Sequence, residues 1–532
     1  MASTLLVTLL VTAWLALASA APVVPKTPKL GVLVVVDQLG SADLEALAID
    51  GESDFGGLEA RGAARFDALY PYLGTETGPG HATLSTSTLP SQHGICANVW
   101  YVEGKKTYCV EDAAQPVLGS TSANDGRSAR FLNAPTLGDT LHSRSAKSRV
   151  VSISVKDRAA ILMGGPSADV ALWYENASGR WTSSKAYLDA LPPWAEKLAD
   201  LPKRSFASGK WSPLPAVAKR GIADAREGED SPTGFTATFP HDLSSVPPEK
   251  QRHAYRYTPH SVEDTISLAI AALDGENLGR RAEPDLLLVS ISATDYSGHA
   301  WGPGSIEKVD IIERVSAELR RFTAELDKRL GKNGWAMVLS ADHGAAPLAE
   351  SLRERRLPAG RLLEAPLLES ATLGLSAEQK KRFLGLSLPV VFLDLKGLSD
   401  KDRDGFVETV RRNIAAVKGV RRALRTDGPE SADTALARAS TFEGRCGPVL
   451  VELQPFVVFT ETPHPLGTDH ASGSVYDRRV PLFVLGPGVA GGRYATPLDP
   501  RDAAPSLAAM LGIPPPDRSE GRPAPAIGPI KR

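Results

Sequence analysis

Three apolar runs, each leading to a carboxylate, constrain the fold of this chain more than any other feature. Leu30–Val36 leads into Asp37, the run at 286–291 is soon followed by Asp295, and the run at 336–341 is followed at once by Asp342. Apolar runs of this length, broken only by Ser290 and Ser340, suit strands buried on both faces, the condition of an interior parallel strand. Open α/β sheets keep their working side chains at the C-terminal ends of such strands, so the three acids are expected at one edge. Further strand-like runs at 148–155 and 480–485 alternate with helical periodicity. The pattern predicts an α/β fold with a wound, mostly parallel central sheet and helices on both faces. The clearest helix is Ile306–Leu330, with Val309, Ile312, Val315, Leu319, Phe322, Leu326 and Leu330 as its apolar stripe. Ser305 is its expected N-cap, and Gly331 follows Lys328 and Arg329 at its end. This helix returns the chain from the Asp295 region to the run at 336–341, in a crossover expected to be right-handed.

A chain of 532 residues has room for several average domains, but one sheet with insertions can occupy the same length. Residues 30–512 are expected to form one such domain, with insertions at about 165–256 and 345–463 forming a cap or accessory lobe. The second insertion contains helical patterns at 377–386 and 403–417. The apolar stretch 5–17 precedes Ala18, Ser19, Ala20 and Ala21, the small-residue pattern of a secretory signal peptide over 1–20. No Lys or Arg precedes that stretch; an uncleaved membrane anchor is the alternative, disfavoured by the shortness of the run. A Pro-rich lead covers 21–29, and a Pro-rich tail, 513–532, is expected to run over the surface. Sixty basic against 62 acidic residues give no support for a nucleic-acid or membrane-surface partner. The arginines between 411 and 425 are read as a solvated face. Of three cysteines, Cys96 and Cys109 are the local candidates for a bridge in an exported protein, Cys446 being left free. Three buried thiols are the alternative.

The densest chemical signal is TETGPGHATLSTSTLPSQHGICANVWY, residues 75–101. Gly78, Pro79 and Gly80 predict a turn into a helix beginning near His81, with the Thr77 hydroxyl at a helix N-terminus that favours anions. Alone, such a threonine is most often only an N-cap. Elsewhere stand imidazoles and carboxylates suited to zinc: Asp342 and His343 beside Asp37 for one ion, and Asp295, His299 and His470 for another. Thr77 would complete the first set, and two ions about 4 Å apart can clamp an in-line displacement.

These motifs resemble a known family. Thr-Gly-Pro-Gly-His, His-Gly-Ile with Asn-x-Trp-Tyr, Asp-Tyr-x-Gly-His-x-x-Gly-Pro, Ala-Asp-His-Gly and a final His before Tyr-Asp-x-x-Val-Pro are similar to the type I phosphodiesterase branch of the alkaline phosphatase superfamily. Within it, the pattern is similar to single-chain bacterial alkaline phosphatases of the phosphate-irrepressible type. The resemblance implies an alkaline phosphatase-like fold and hydrolysis of small phosphate monoesters through a phosphothreonine at Thr77. It implies two Zn²⁺ per chain, one held by Asp37, Thr77, Asp342 and His343, the other by Asp295, His299 and His470. Asn98 with Lys156 and Arg158 is the mark of monoesterases, because a monoester presents one more charged oxygen that needs donors beyond the metals. The product is expected in the periplasm or secreted, with no stable membrane anchor. Ala471 departs from a usual Gly, which keeps His464 as the fallback ligand if the alignment at His470 slips. His81 is expected to orient the loop or pack, and His93 and His260 carry no assigned chemistry. A phosphodiesterase or nucleotide pyrophosphatase on the same metal core is the nearest rival, and a non-catalytic metal-stabilised binding module is the rival of another class.

Overall fold

A computed structural model describes residues 27–47, 54–120, 122, 125–205, 209–232, 234–461 and 466–528. The expected signal peptide and His464 lie outside these residues.

Nine strands form the central sheet. In chain order they are β1 (Leu30–Val36), β2 (Ala64–Leu69), β3 (Val150–Ser154), β4 (Val170–Glu175), β5 (Arg180–Thr182), β6 (Asp285–Ile291), β7 (Trp335–Ser340), β8 (Arg479–Leu485) and β9 (Gly492–Arg493). Across the sheet they run β9-β2-β8-β7-β1-β6-β3-β4-β5. The five strands from β7 to β4 are mutually parallel. β8 enters antiparallel to β7 and pairs antiparallel with β2, and β5 turns back along β4. The sheet is therefore mixed, with a parallel centre as expected and reversals towards both sides. Every residue of β1, β6 and β7 is buried, which accounts for their mostly apolar composition, with Asp285, Ser290 and Ser340 as the buried polar exceptions. In register Val36 lies beside Ile291 and Val35 beside Ser340, so the chain leaves all three strands at one edge.

Four helices position the site: α1 (Thr77–Thr86), α2 (Asp157–Gly164), α3 (Ala293–Trp301) and α4 (Ile306–Leu330). α4 has the expected bounds, with Ser305 Oγ accepting from the Lys308 amide and Gly331 closing it at φ 76°. α1 starts at Thr77 rather than near His81. Gly78, Pro79 and Gly80 form its first turn instead of preceding it, because the Gly80 amide already donates to Glu76 O at 3.0 Å. A Cβ on Gly80 would collide with the backbone of Asp342, so the glycine lets α1 lie against the end of β7.

The segment 165–256 is not wholly outside the sheet, since β4 and β5 belong to it; short helices and turns follow. Within 345–463, Phe383–Ser387, Val390–Leu393, Val449–Leu453 and Val420–Arg425 pair into a separate four-stranded antiparallel sheet. The helix Asp400–Ala415 packs Phe406, Val407, Val410 and Ile414 into its apolar core. Helical periodicity at 377–386 misled only from Phe383 onward: the helix stops at Arg382 and pairing with Val390–Leu393 makes the rest a strand. Arg411, Arg421, Arg422 and Arg425 all close on nearby carboxylates.

The cysteine pairing is corrected. Cys96 bridges Cys446, 350 residues away, and Cys109 is the free, buried thiol. The bridge joins the Asn98 loop to the four-stranded lobe, where Arg445 also donates to Gly94 O at 2.9 Å. Short spacing favoured Cys109, but the lobe folds back over the loop and brings Cys446 closer. Among the described residues no helix is long and apolar enough to cross a membrane.

Candidate active site

The sheet edge brings ten expected residues into one neighbourhood. Asp37 directly follows β1, and Asp342 and His343 lie just past β7. Asp295 and His299 sit four residues apart on α3 and therefore on one face, with His299 Nε2 3.2 Å from Asp295 Oδ1. His470 reaches in from a loop and stacks on His343, ring centroids 3.8 Å apart, with His299 at 5.1 Å.

Two groups have ligand atoms mutually within 4.8 Å: Asp295, His299 and His470, and Asp37, Asp295 and His343. The first is the set expected from the sequence. The second shares Asp37 and His343 with the expected set but holds Asp295, which belongs to both groups, in place of Asp342; Asp342 Oδ2 stands 3.5 Å from His343 Nε2 and 3.2 Å from His81 Nδ1. Asp342 Oδ1 is already engaged by the backbone amides of Gln38 and His343, each at 3.0 Å.

All three histidines spend Nδ1 in the same way. It lies 2.9 Å from Gly344 O in His343, 2.9 Å from Thr468 O in His299 and 2.8 Å from Thr75 O in His470. A carbonyl only accepts, so Nδ1 must carry the proton, and the neutral ring then offers its Nε2 lone pair to the shared space. That is the tautomer of a metal ligand held from behind. Burial, with His343 and His299 beside it, holds His470 well below the ordinary histidine range. Burial likewise lowers His343. For His299 burial is outweighed by Asp295, which pushes it up to about 9, so an arriving cation must displace that proton.

The carboxylates also fit a cation. Burial, then the charges of Asp295 and Asp342, push Asp37 well above the usual range, showing more negative charge than Lys156 balances. Asp37 Oδ1 and His343 Nε2, 3.6 Å apart and fully buried, have no hydrogen-bond partner among the described residues. Buried polar atoms are rarely left so, and a bound cation would satisfy both.

Thr77 is buried at the first turn of α1. Its Oγ1 accepts from Lys156 Nζ at 3.1 Å and from Arg158 Nη2 at 3.2 Å. Lys156 Nζ also lies 2.6 Å from both Asp37 Oδ2 and Asp295 Oδ2. Asn98 Oδ1 accepts from the Gly78 amide at 2.8 Å, which turns Nδ2 towards Glu76 Oε1 at 3.2 Å. Glu76 Oε2 accepts from the Asn98 amide at 2.9 Å as well. Burial, only partly offset by that amide and by Arg158, pushes Glu76 up to about 7.

Sequence reasoning missed Glu76 and a buried pair behind the metal candidates. Gln38 Nε2 donates to Asp295 Oδ1 at 3.0 Å. The fully buried Lys308 of α4 donates to Gln38 O at 3.0 Å and Gln38 Oε1 at 2.9 Å. An ammonium only donates, so Lys308 forces Oε1 towards itself and Nε2 towards Asp295. A Cβ on Gly298 would fall on Gln38 Oε1, so that glycine lets the amide cross α3. Gln38's place beside Asp37 was the available signal; nothing in the periodicity of α4 marks Lys308. His81 spans Thr77 O and Ser290 Oγ, each at 2.8 Å, in the orienting role expected of it. His93 packs against Thr83 Oγ1 at 3.1 Å, and burial lowers it to about 3. His260 lies 3.3 Å from Glu263 on the same helix.

The type I phosphodiesterase / nucleotide pyrophosphatase family model matches residues 32–474. Alkaline phosphatase PhoV of Synechococcus elongatus is 32% identical over 93% of this chain and 92% of its own. Alkaline phosphatase PafA of Elizabethkingia meningoseptica is 30% identical over 93% and 94%. The crystal structure of wild-type PafA superposes with a TM-score of 0.85 at 28% identity, covering 95% of this chain and 99% of that one. A PafA variant substituted at a threonine, an asparagine, a lysine and an arginine gives the same TM-score. Those four positions are spaced pairwise like Thr77 and Asn98, and like Lys156 and Arg158.

Proposed function

Since the chain belongs to the type I phosphodiesterase / nucleotide pyrophosphatase family, we propose that it is an alkaline phosphatase that hydrolyses small phosphate monoesters through Thr77. The observation that carries this reading is the convergence of Lys156 and Arg158 on Thr77 Oγ1. Thr77 gives its hydroxyl proton to solvent as Oγ1 attacks phosphorus, the Oγ1–P bond forms as the bond to the leaving oxygen breaks, and water then cleaves the phosphothreonine, releasing phosphate and returning a proton to Oγ1. The leaving oxygen ends protonated from solvent. Lys156 stabilises negative charge on Oγ1, and Arg158 offers a planar fork to the equatorial oxygens. Asn98, held by Gly78 and Glu76, has its second Nδ2 proton left to donate. Asp37, Asp342, His343 and Thr77 would hold one Zn²⁺, and Asp295, His299 and His470 a second. When bound, such ions lower the pKa of a coordinated hydroxyl, as zinc brings that of bound water down to about 7. Export to the periplasm or the medium, following the small-residue site at Ala18 to Ala21, belongs to the same reading.

The family also contains diesterases, so the discriminating quantity is the ratio of kcat/KM for an aryl phosphate monoester to that for a matched diester. The wild type is expected to favour the monoester. Removing both Lys156 and Arg158 should lower monoester kcat/KM by several kcal/mol in the barrier while leaving diester hydrolysis little changed. Equal losses on both substrates, or a wild type that prefers the diester, would transfer the assignment to phosphodiesterase.

A further inference from the structure

Beside the catalytic pair stands a third cation that the proposed reaction does not use. Arg256 lies in the short turn Tyr255–Tyr257, which packs on α3, the helix that carries Asp295 and His299. Its guanidinium sits over the ring of Tyr296 at 4.8 Å from the centroid, and its Nη1 donates to Tyr296 Oη at 3.3 Å. Lys156 Nζ lies 5.3 Å from the centroid of the same ring. Tyr296 is therefore shared between the lysine that reaches Thr77 and an arginine at the border of the site.

What orients Arg256 is uncharged. Besides Tyr296, its partners among the described residues are the carbonyl of His253 and the His253 ring. Burial and Arg256 itself lower the pKa of that ring, which keeps it neutral. Arg180, Arg220 and Arg226 from the same segment each close on a glutamate. Arg256 is held by groups that fix its direction without cancelling its charge, the construction of an anion site. Tyrosine stacking further limits its rotamers, so less order is lost when an anion arrives.

We propose that Arg256, braced on Tyr296, is a subsite for a second phosphate on the substrate. Esters that carry a phosphate beyond the one being transferred are favoured over those with an uncharged remainder. The inference rests on the monoesterase reading, in which Lys156 and Arg158 serve the transferred phosphoryl group and Arg256 the distal one.

The test compares propyl phosphate with propane-1,3-diol bisphosphate, which share an alkyl leaving oxygen and differ in the distal phosphate. The wild type should show a higher kcat/KM for the bisphosphate, beyond the twofold from two equivalent ends, and this preference should shrink as NaCl is raised. In Arg256→Gln the bisphosphate-to-monophosphate ratio should fall about tenfold, chiefly through KM, and Arg256→Lys should retain part of it. A wild type with no preference beyond the statistical factor overturns the subsite, whether or not the variants fold. So does an unchanged ratio in Arg256→Gln. Both outcomes leave monoester hydrolysis standing. Failure of the metal-loaded wild type to release phosphate from either compound overturns the monoesterase reading and the subsite with it.

Discussion

At the scale of single residues, the account turns on which atom each side chain leaves free. Three imidazoles bond backbone carbonyls through Nδ1 and so present Nε2 to a space lined by carboxylates. This arrangement makes the two-zinc proposal testable one residue at a time. Metal analysis should find about two zinc ions per chain in the wild type, with His299→Ala and His343→Ala each losing zinc from a different site. Full zinc in both variants would remove the ligand assignment. The buried pair behind the ligands gives a second expectation. Lys308→Met keeps most of the side-chain volume but releases the Gln38 amide to turn, so Asp295 loses a donor whose orientation was enforced. Outer-shell losses of this kind weaken metal binding about 10–100-fold. Titration against a chromophoric chelator should show that loss in zinc affinity, and an unchanged affinity would mean that Lys308 serves packing alone.

At the scale of elements, strand ends and helix starts do the positioning, and they were legible to different degrees. β1, β6 and β7 declared themselves because strands buried on both faces are mostly apolar, and the carboxylate after each marked the working edge. α4 was readable from its stripe and its cap at Ser305. The antiparallel entry of β8 was not, since a buried strand has the same composition in either direction. The strand at Phe383–Ser387 was hidden for a related reason, as its pairing with Val390–Leu393 overrides local helical periodicity. Within the site, the motifs carried Thr77 and the ligand candidates, whereas Lys308 was invisible because its partner lies 270 residues away in sequence. The disulfide failed for want of the same non-local information. Its test is thiol counting on unreduced, denatured protein, which should find one thiol, at Cys109. Cys446→Ser should lower stability by up to about 6 kcal/mol in the chain-entropy model for so long a loop, read as a fall in the denaturant midpoint. Three thiols would exclude the bridge.

At the scale of the whole molecule, one mixed sheet gathers the ligand candidates and two further regions reach the site from outside it. The four-stranded lobe is tied to the Asn98 loop through Cys96 and Cys446, and the segment ending at Arg256 leans on α3. The centre they enclose has a single proposed purpose, to make Thr77 a nucleophile towards a phosphate monoester. Acid quenching of the metal-loaded enzyme during turnover of an aryl phosphate, followed by peptide mapping, addresses that purpose most directly. The account predicts phosphate on Thr77 in the wild type, and in Thr77→Ala neither the modification nor more than about a thousandth of the activity. Phosphate on a different residue, or wild-type-like turnover by Thr77→Ala, would contradict it.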